Sequence, residues 1–313
     1  MKLLVQLLLT WLFIIASSTA AAAEQPRKRI ALTFDDAPLP DGPFFEGAER
    51  TRRLIAALKE ADVPQAAIFV TTGNIKDSAG EARIRAYAAA GHLLGNHSHS
   101  HKWLKDMDAA AYLADIDRAS RRLARFNNVR PWFRYPFLNE SPDAARRDAV
   151  RAGLARRKLM NAYVTVDTWD WAIVNLAREA KQAGRDIDMD ALRQMYLDVM
   201  LNAVDTYDKL ALEALGRSPA HVLLAHENDL QALFIGDLVK ALRARGWTIV
   251  SPDEAFSDPI ARVLPNTLRN GNGRVAALAA VRGFEPERLR DRFHDEKLLK
   301  QMFEQRVIRS AAR

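Results

Sequence analysis

The chain of 313 residues contains no cysteine. This absence excludes thiolate nucleophiles, thiolate metal ligands, disulfides and lipid anchors attached to cysteine. Exported proteins often carry disulfides, but a domain of this length buries enough apolar surface to fold without them. A reactive site in this chain therefore has to be built from histidine, carboxylates and other oxygen groups.

The net charge is close to zero over most of the chain. The formal charge is +7, of which Lys2 contributes one. From Arg262 to Arg313, twelve Lys and Arg stand against six Asp and Glu, a net of +6, so residues 24–261 are formally neutral. Neither a cationic active site nor a nucleic-acid partner is expected. We expect residues 258–313 to form a basic, solvated helical extension.

A long apolar run is present only at the start. Residues 3–15 are mostly apolar, follow Lys2 and precede the small residues Ala21–Ala23. The run is too short to span a bilayer comfortably, and the layout is that of a secretory signal peptide. We predict a signal peptide over residues 1–23, export to the periplasm or the extracellular medium, and no stable membrane span after cleavage.

The rest of the sequence alternates short β-rich runs with helical stretches, which favours a parallel sheet or a (β/α) barrel. The predicted strands are residues 30–34, 66–70, 92–94, 132–134, 163–166, 221–225 and 247–250. The predicted helices are residues 48–61, 79–90, 108–126, 143–152 and 230–245, and residues 172–215 form a mostly helical insertion. Chemically active side chains follow the strands, as they do at the carboxyl-terminal face of a barrel.

Two segments supply donors for a divalent metal. Asp36 follows the first strand, and His97 and His101 lie four positions apart, so both can face one ion. Three protein ligands with room for water are typical of catalytic zinc. His99 is the runner-up ligand, although its offset of two from each neighbour turns it elsewhere. Two histidines and one carboxylate also form the iron triad of oxygenases, which stays a rival interpretation.

Further residues suit acid–base chemistry. Asp35 is the candidate base, because adjacent residues on an extended strand face opposite ways and one carboxylate can ligate while the other meets water. Arg134 ends a strand and would keep a nearby Asp35 ionised. His226 is the candidate acid, and Asp170 is the candidate partner that raises its pKa.

Aromatic residues give the next signal. Trp169 and Trp171 flank the predicted partner of the acid, and their faces could stack on sugar rings or simply pack in the core. Trp103, Trp132 and Trp247 are expected in the core.

These residues form, in order, the five motifs of the polysaccharide deacetylase family (carbohydrate esterase family 4), which the chain resembles over about residues 28–256. The motifs are Thr33-Phe34-Asp35-Asp36, Gly95-Asn96-His97-Ser98 with His101, Arg134-x-Pro136-Phe137, Asp167-x-x-Asp170-Trp171, and the apolar run that ends in His226. The resemblance implies a distorted (β/α) barrel over residues 24–257, with the helical insertion at 172–215 and the extension at 258–313.

The resemblance also implies a cofactor and roles. The cofactor is a divalent metal, zinc first, with cobalt or nickel as alternatives. The implied roles are metal binding by Asp36, His97 and His101, base catalysis by Asp35 with Arg134, acid catalysis by His226 with Asp170, and substrate binding by Tyr135, Pro136, Trp169 and Trp171. Among these, the backbone amide of Tyr135 is the nearest match for the acetate-binding group.

The implied function is that of an exported hydrolase that removes N-acetyl groups from the amino sugars of a polysaccharide or of peptidoglycan, with an N-acetylated glycan as its partner. The alternatives are a non-catalytic glycan-binding protein of the same fold and a deacylase for another N-acyl or O-acetyl substrate. Three departures matter. Ala37 stands where the family usually has glycine, so a different loop path is expected. The insertion could cover the groove, and the basic tail has no counterpart in the minimal domain. The oligomeric state stays open.

Overall fold

The structure is a computed structural model that describes residues 28–309, so the predicted signal peptide lies outside the described residues. Its strands are β1 (Lys28–Ala37), β2 (Ala67–Val70), β3 (Leu93–Asn96), β4 (Val129–Phe133), β5 (Met160–Asn161), β6 (Ala220–His226) and β7 (Trp247–Ile249). Its helices are α1 (Gly47–Glu60), α2 (Ser78–Ala89), α3 (Ala109–Leu123), α4 (Ala144–Arg156), α5 (Asp170–Gln182), α6 (Met189–Leu215), α7 (Asp229–Ala244), α8 (Pro252–Ala255), α9 (Gly273–Val281) and α10 (Glu296–Arg306). Between residues 28 and 309, no helix is long and apolar enough to cross a membrane.

All strand pairs of the sheet are parallel. The order is β5-β4-β3-β2-β1-β6, and β7 pairs with the first residues of β1. After β5 the chain bends round so that Val166 bridges Leu223 on β6, which curls the sheet toward closure. The predicted fold class, a distorted (β/α) barrel, is confirmed.

The predicted strand at residues 163–166 is wrong. Only Val166 forms a bridge there, and the segment is otherwise irregular. The amide of Val222 donates to the Thr165 hydroxyl (2.7 Å), while the Val164 carbonyl accepts from the amide of Arg274 (2.7 Å). A side chain and a distant segment thus take hydrogen bonds that a strand partner would otherwise make.

The predicted insertion is helical, since most of α5 and all of α6 lie within it. The side chain of Asp188 caps the start of α6, accepting from the amides of Asp190 and Ala191. Helix α6 packs against α7 and α9, on the outside of the barrel. No residue of α6 lines the cavity beside Asp36 and His226, whereas Trp171, Val174, Asn175 and Arg178 of α5 do.

The C-terminal extension is not the solvated appendage that its charge suggested. Leu299, Phe303 and Val307 are at most 1% exposed, and they belong to the same hydrophobic cluster as the barrel strands. Their spacing of four places them on one face of a helix. This apolar spacing predicts burial, although the segment as a whole is basic. Helix α10 packs against α5 and α6, so the extension is part of the core.

Candidate metal centre and active site

The two aspartates lie at the end of β1, where the strand is irregular. The register with β2 shifts between Phe34 and Ala37, and Asp36 has a left-handed backbone with φ of 70°. The expectation that simple strand alternation separates the two side chains is therefore wrong. Instead, Nε2 of His97 lies 3.5 Å from Oδ2 of Asp35 and 3.5 Å from Oδ1 of Asp36.

Ala37 continues the strand, and no glycine is needed there. Its carbonyl accepts from the amide of Thr71 at 3.0 Å, and its side chain is buried. The following loop is fixed from β6 and α7: the amide of Leu39 donates to the Glu227 carboxylate (2.9 Å), and that of Phe44 donates to Asp229 (2.7 Å). The loop is thus held by buried carboxylates.

Asp36, His97 and His101 come together as a cluster that could hold a metal ion. One ligand atom from each lies within 4.8 Å of the other two, and Nε2 of His101 is 3.0 Å from Oδ1 of Asp36. Nδ1 of His97 lies 2.9 Å from the carbonyl of Arg134, which can only accept, so this nitrogen carries the proton. The Nε2 lone pair then faces the cluster, which is the usual arrangement of a ligating histidine. The donor set fits a divalent cation such as zinc.

The loop between the two histidines explains their convergence. Ser98 and His101 both have left-handed backbones, with φ of 66° and 52°, and the Ser98 hydroxyl accepts from the amide of His101 at 2.9 Å. His99 turns away, and its Nδ1 lies 3.0 Å from the Thr72 hydroxyl. His99 is therefore outside the cluster.

The cluster keeps Asp36 anionic. Burial alone would raise the pKa of this carboxyl, but the hydrogen bond and charge of His101, followed by the charge of His97, hold the pKa well below its ordinary value. An ionised carboxylate beside two imidazoles is ready to bind a cation.

Asp35 is fixed by Arg134, which is 1% exposed. Nη1 of Arg134 donates to Oδ1 of Asp35 (2.6 Å) and to the Thr33 hydroxyl (2.7 Å), and its Nε donates to the Ala162 carbonyl (2.8 Å). The guanidinium also stacks over the ring of Phe69, 3.8 Å from its centroid. The arginine thus orients the carboxylate and forms a buried ion pair with it.

His226 is held by Asp170 in the same way. Its Nδ1 lies 2.7 Å from Oδ1 of Asp170, which is fully buried at the start of α5. Burial would lower the pKa of His226, but the charge and hydrogen bond of Asp170 overcome it, and Asp36 and Asp35 add to them, raising the pKa to about 10. The imidazole is therefore a proton donor at neutral pH.

A chain of residues that the sequence did not reveal supports Asp170. Its Oδ2 accepts from the side-chain amides of Asn228 (2.8 Å) and Gln231 (2.9 Å), and from the backbone amide of His226 (2.9 Å). Gln231 in turn accepts from the hydroxyl of Tyr196 on α6, at 2.7 Å. The only sequence signal was the presence of polar residues in an otherwise apolar helix start.

The two tryptophans that flank Asp170 have different surroundings. Trp171 lines a cavity beside Asp36 and His226. Trp169 does not line this cavity and packs against Trp171, with the ring centroids 5.0 Å apart. Trp132 and Trp247 are buried, as expected.

The expectation that Trp103 lies in the core is wrong. It is partly exposed and stacks on Phe137, with centroids 4.0 Å apart and planes 4° apart. Phe137 is 40% exposed and its ring lies 4.6 Å from that of His101. Both rings therefore lie at the rim of the metal cluster, where a sugar could contact them.

Tyr135 has a buried ring and, in the described part of the chain, an unpaired backbone amide. The ring is 2% exposed and stacks near Tyr112, while Pro136 begins a short 3-10 turn. Within residues 28–309 the amide of Tyr135 donates to no protein acceptor. This amide is therefore free to bind a substrate oxygen.

The leading aspartate of the fourth motif is bound by the C-terminal extension. Nε2 of His294 lies 2.8 Å from Oδ2 of Asp167, and its Nδ1 lies 3.2 Å from Asp291. The imidazole packs edge-on against Trp169, with centroids 5.1 Å apart. Burial would lower the pKa of His294, but the two carboxylates raise it to about 9. Nothing in the spacing of these residues along the sequence indicates the contact.

His294→Gln is expected to remove a pH-dependent part of the stability. Because the pKa of His294 is raised from 6.5 to about 9, its stabilisation is complete below pH 6.5 and is lost as the pH rises through 9. A rise of that size corresponds to about 3 kcal/mol. Urea unfolding between pH 6 and pH 10 should show the wild-type advantage shrinking with pH; an advantage that does not change with pH would contradict the assignment.

The comparisons with known proteins agree with this arrangement. Residues 22–156 match the family described as polysaccharide deacetylase. A chitin deacetylase from Colletotrichum lindemuthianum is 31% identical over 114 residues, which are 35% of this chain and 42% of that protein. The chain thus matches less than half the length of this relative.

Three solved structures share the fold. A peptidoglycan deacetylase mutant from Bacillus subtilis has a TM-score of 0.50 at 20% identity, covering 74% of this chain and 91% of that one. A polysaccharide deacetylase from Bacillus cereus has a TM-score of 0.53 at 20% identity, covering 72% and 92%. A family 4 carbohydrate esterase pseudoenzyme from Bacillus anthracis has a TM-score of 0.50 at 21% identity, covering 73% and 65%. The motif residues lie at or just after the ends of β1, β3, β4 and β6, so the chain is similar to polysaccharide deacetylases in its fold and in the placement of these residues.

Proposed function

We propose that the chain is an exported, metal-dependent hydrolase that removes N-acetyl groups from the amino sugars of a glycan. The observation that carries the proposal is the convergence of a base, an acid and three metal donors at one edge of the sheet. Asp35 and His226 are register partners on β1 and β6, and Asp36 lines the same cavity as His226.

The metal donors and the base act in the first half of the reaction, the attack of water on the acetyl carbonyl. A divalent cation on Asp36, His97 and His101 would polarise the acetyl carbonyl and make water nucleophilic at neutral pH. Asp35, 3.5 Å from Nε2 of His97, takes the proton from the attacking water. The Tyr135 amide donates to the carbonyl oxygen as negative charge develops on it.

The acid completes the reaction. His226 donates its proton to the amide nitrogen, so that the bond between carbon and nitrogen breaks and the amino sugar leaves. Asp170 keeps the imidazole protonated and oriented through the 2.7 Å contact at Nδ1. The reaction yields acetate and a free amine, and the two residues return to their starting states after proton exchange with solvent.

Acetate release from a panel of glycans tests the proposal. Protein beginning at Glu24 is stripped, loaded separately with zinc, cobalt or nickel, and given chitooligosaccharides, a poly-N-acetylglucosamine, peptidoglycan and an O-acetylated glycan. We expect release from at least one N-acetylated polymer, loss with chelator, and recovery on metal addition. Metal content measured on the protein as purified, before the metal is stripped, separates a zinc-type enzyme from an iron protein.

The opposing outcomes are distinct. Protein with full metal occupancy that binds sugars but releases no acetate would identify a glycan-binding protein. Release from the O-acetylated glycan alone would identify an esterase. Secretion is checked separately by locating the full-length chain in cell fractions, and retention inside the cell would overturn the proposed export.

Asp170→Asn is expected to move the alkaline limb of the pH–rate profile toward lower pH. The Asp170 charge raises the pKa of His226 to about 10, and His226 must be protonated to donate. Loss of that charge should therefore deprotonate the acid within the working range and lower kcat at pH 8 by about 10²-fold. Asp190→Asn, which removes an exposed carboxylate on α6, is the matched control. An unshifted limb would assign the proton transfer to another group.

A further inference from the structure

A second cavity lies behind the motif that carries Arg134. It is lined by the 134–140 segment, the irregular 161–164 segment and the start of α9 in the C-terminal extension. The substrate groove is lined by other residues, with Trp171, His226 and Asp36 among them.

Four residues of this lining each have a buried polar side-chain atom with no protein partner in the described part of the chain. These atoms are Nη2 of Arg134, Nη2 of Arg274 and the hydroxyls of Tyr135 and Tyr163. The residues are 1%, 3%, 2% and 4% exposed. A buried polar group without a partner costs about 1–3 kcal/mol, so four around one cavity indicate a shared ligand.

The charge of the lining is positive. Arg134 is paired with Asp35, and Glu140, which also lines the cavity, is paired with Arg151 at 2.7 Å. Arg274 donates through Nη1 only to the backbone carbonyls of Ile260 and Val263, and among residues 28–309 it makes no salt bridge.

Among the described residues Arg274 therefore has no direct ion pair: Glu140 acts on it only through its charge, and the ring of Tyr163 lies 4.4 Å from its Cζ. Burial alone lowers the pKa of this guanidinium from its ordinary value, yet an arginine keeps its proton. A buried cation without a direct ion pair is costly, and an anion beside it relieves the cost.

The size of the cavity limits the ligand. Its volume is about 30 Å³, room for one or two species the size of water. A halide fits this space, whereas a sugar acid such as gluconate does not. The donors are two guanidinium nitrogens and two phenol hydroxyls, a set that suits a monovalent anion without directional lone pairs.

We propose that this cavity binds a small inorganic anion, chloride in solution, between Arg134 and Arg274. The anion ties the C-terminal extension to the third motif, because Arg274 opens α9 while Arg134 follows β4. It contacts the far side of the guanidinium that orients Asp35. The site does not depend on the proposed deacetylation and is tested without substrate.

Bromide is the probe for the position of the anion. Crystals of the protein grown in sodium bromide are measured at the bromine absorption edge. We expect an anomalous peak within hydrogen-bond distance of Arg134 Nη2 and Arg274 Nη2. Ordinary density at that position without an anomalous signal would show water there and overturn the proposal.

Thermal unfolding tests the same site in solution. In sodium chloride at tenfold its Kd, the Tm should rise by about 3 °C over sodium gluconate at equal ionic strength. Arg274→Gln should abolish that difference. Tyr163→Phe, which removes only an unpartnered hydroxyl and keeps the ring, should weaken chloride binding about fivefold.

Arg282→Gln, an exposed arginine at the other end of α9, is the matched control and should behave as wild type. Equal melting in chloride and gluconate, or a chloride effect that survives in both cavity variants, would overturn the proposal. If Arg274→Gln does not fold, Tyr163→Phe and the bromide peak decide the outcome.

Discussion

Asp35→Asn is expected to lower kcat for acetate release by about 10³-fold while the protein keeps its metal. Asparagine has nearly the same shape but cannot accept the proton of water. Asp36, His97 and His101 are unchanged, so the metal content should stay at the wild-type level. Acetate release and metal content are measured on the same preparation.

The substitution also leaves Arg134 without its carboxylate. Because that guanidinium is 1% exposed, the variant should lose stability, and its Tm has to be measured beside the kinetics. Full activity in a folded Asp35→Asn protein would remove Asp35 from the mechanism. Unchanged glycan binding with lost turnover would support it and would separate catalysis from mere recognition.

His101→Ala is expected to abolish acetate release through loss of the metal. The variant keeps two of the three clustered donors, and we expect the metal affinity to fall by more than about 100-fold, beyond the effect of changing a group that merely supports a ligand. Metal titration by calorimetry, with total metal measured after dialysis, gives the affinity and stoichiometry.

His99→Ala is the control within the same segment. His99 contacts Thr72 instead of the cluster, so this variant should bind metal as the wild type does. Metal loss in His99→Ala equal to that in His101→Ala would show that the loop as a whole, and not the ligand, was disturbed.

The site was predictable because its residues follow the strands. Strand ends of a parallel barrel meet at one face, so Asp36, His97 and Arg134 could be brought together from their positions alone. The alternation of strands and helices also predicted strands at residues 30–34, 66–70, 92–94 and 132–134, close to β1 to β4. The strand prediction failed at residues 163–166. There the Thr165 hydroxyl, and not a backbone carbonyl, accepts from the amide of Val222, and residue propensities for β-structure do not indicate such a side-chain hydrogen bond.

What could not be predicted depends on contacts between distant segments. His294 reaches Asp167 across 127 residues, and Gln231 reaches Asp170 across 61. Trp103 resembles any core tryptophan until Phe137, in a left-handed turn, provides the surface on which it stacks. The backbone conformation of Asp36 could not be predicted either, because its positive φ lies in an irregular part of the strand that no sequence motif indicates.

The packing of the extension into the core has a consequence for how the protein is made. Val164 and Asp167 are synthesised more than a hundred residues before their partners Arg274 and His294. A chain still leaving the ribosome therefore exposes apolar surface that α10 later covers, and Asp167 of its fourth motif still lacks the contact with His294. Premature termination before Phe303 would then release a product destined for proteolysis, however complete its set of catalytic residues.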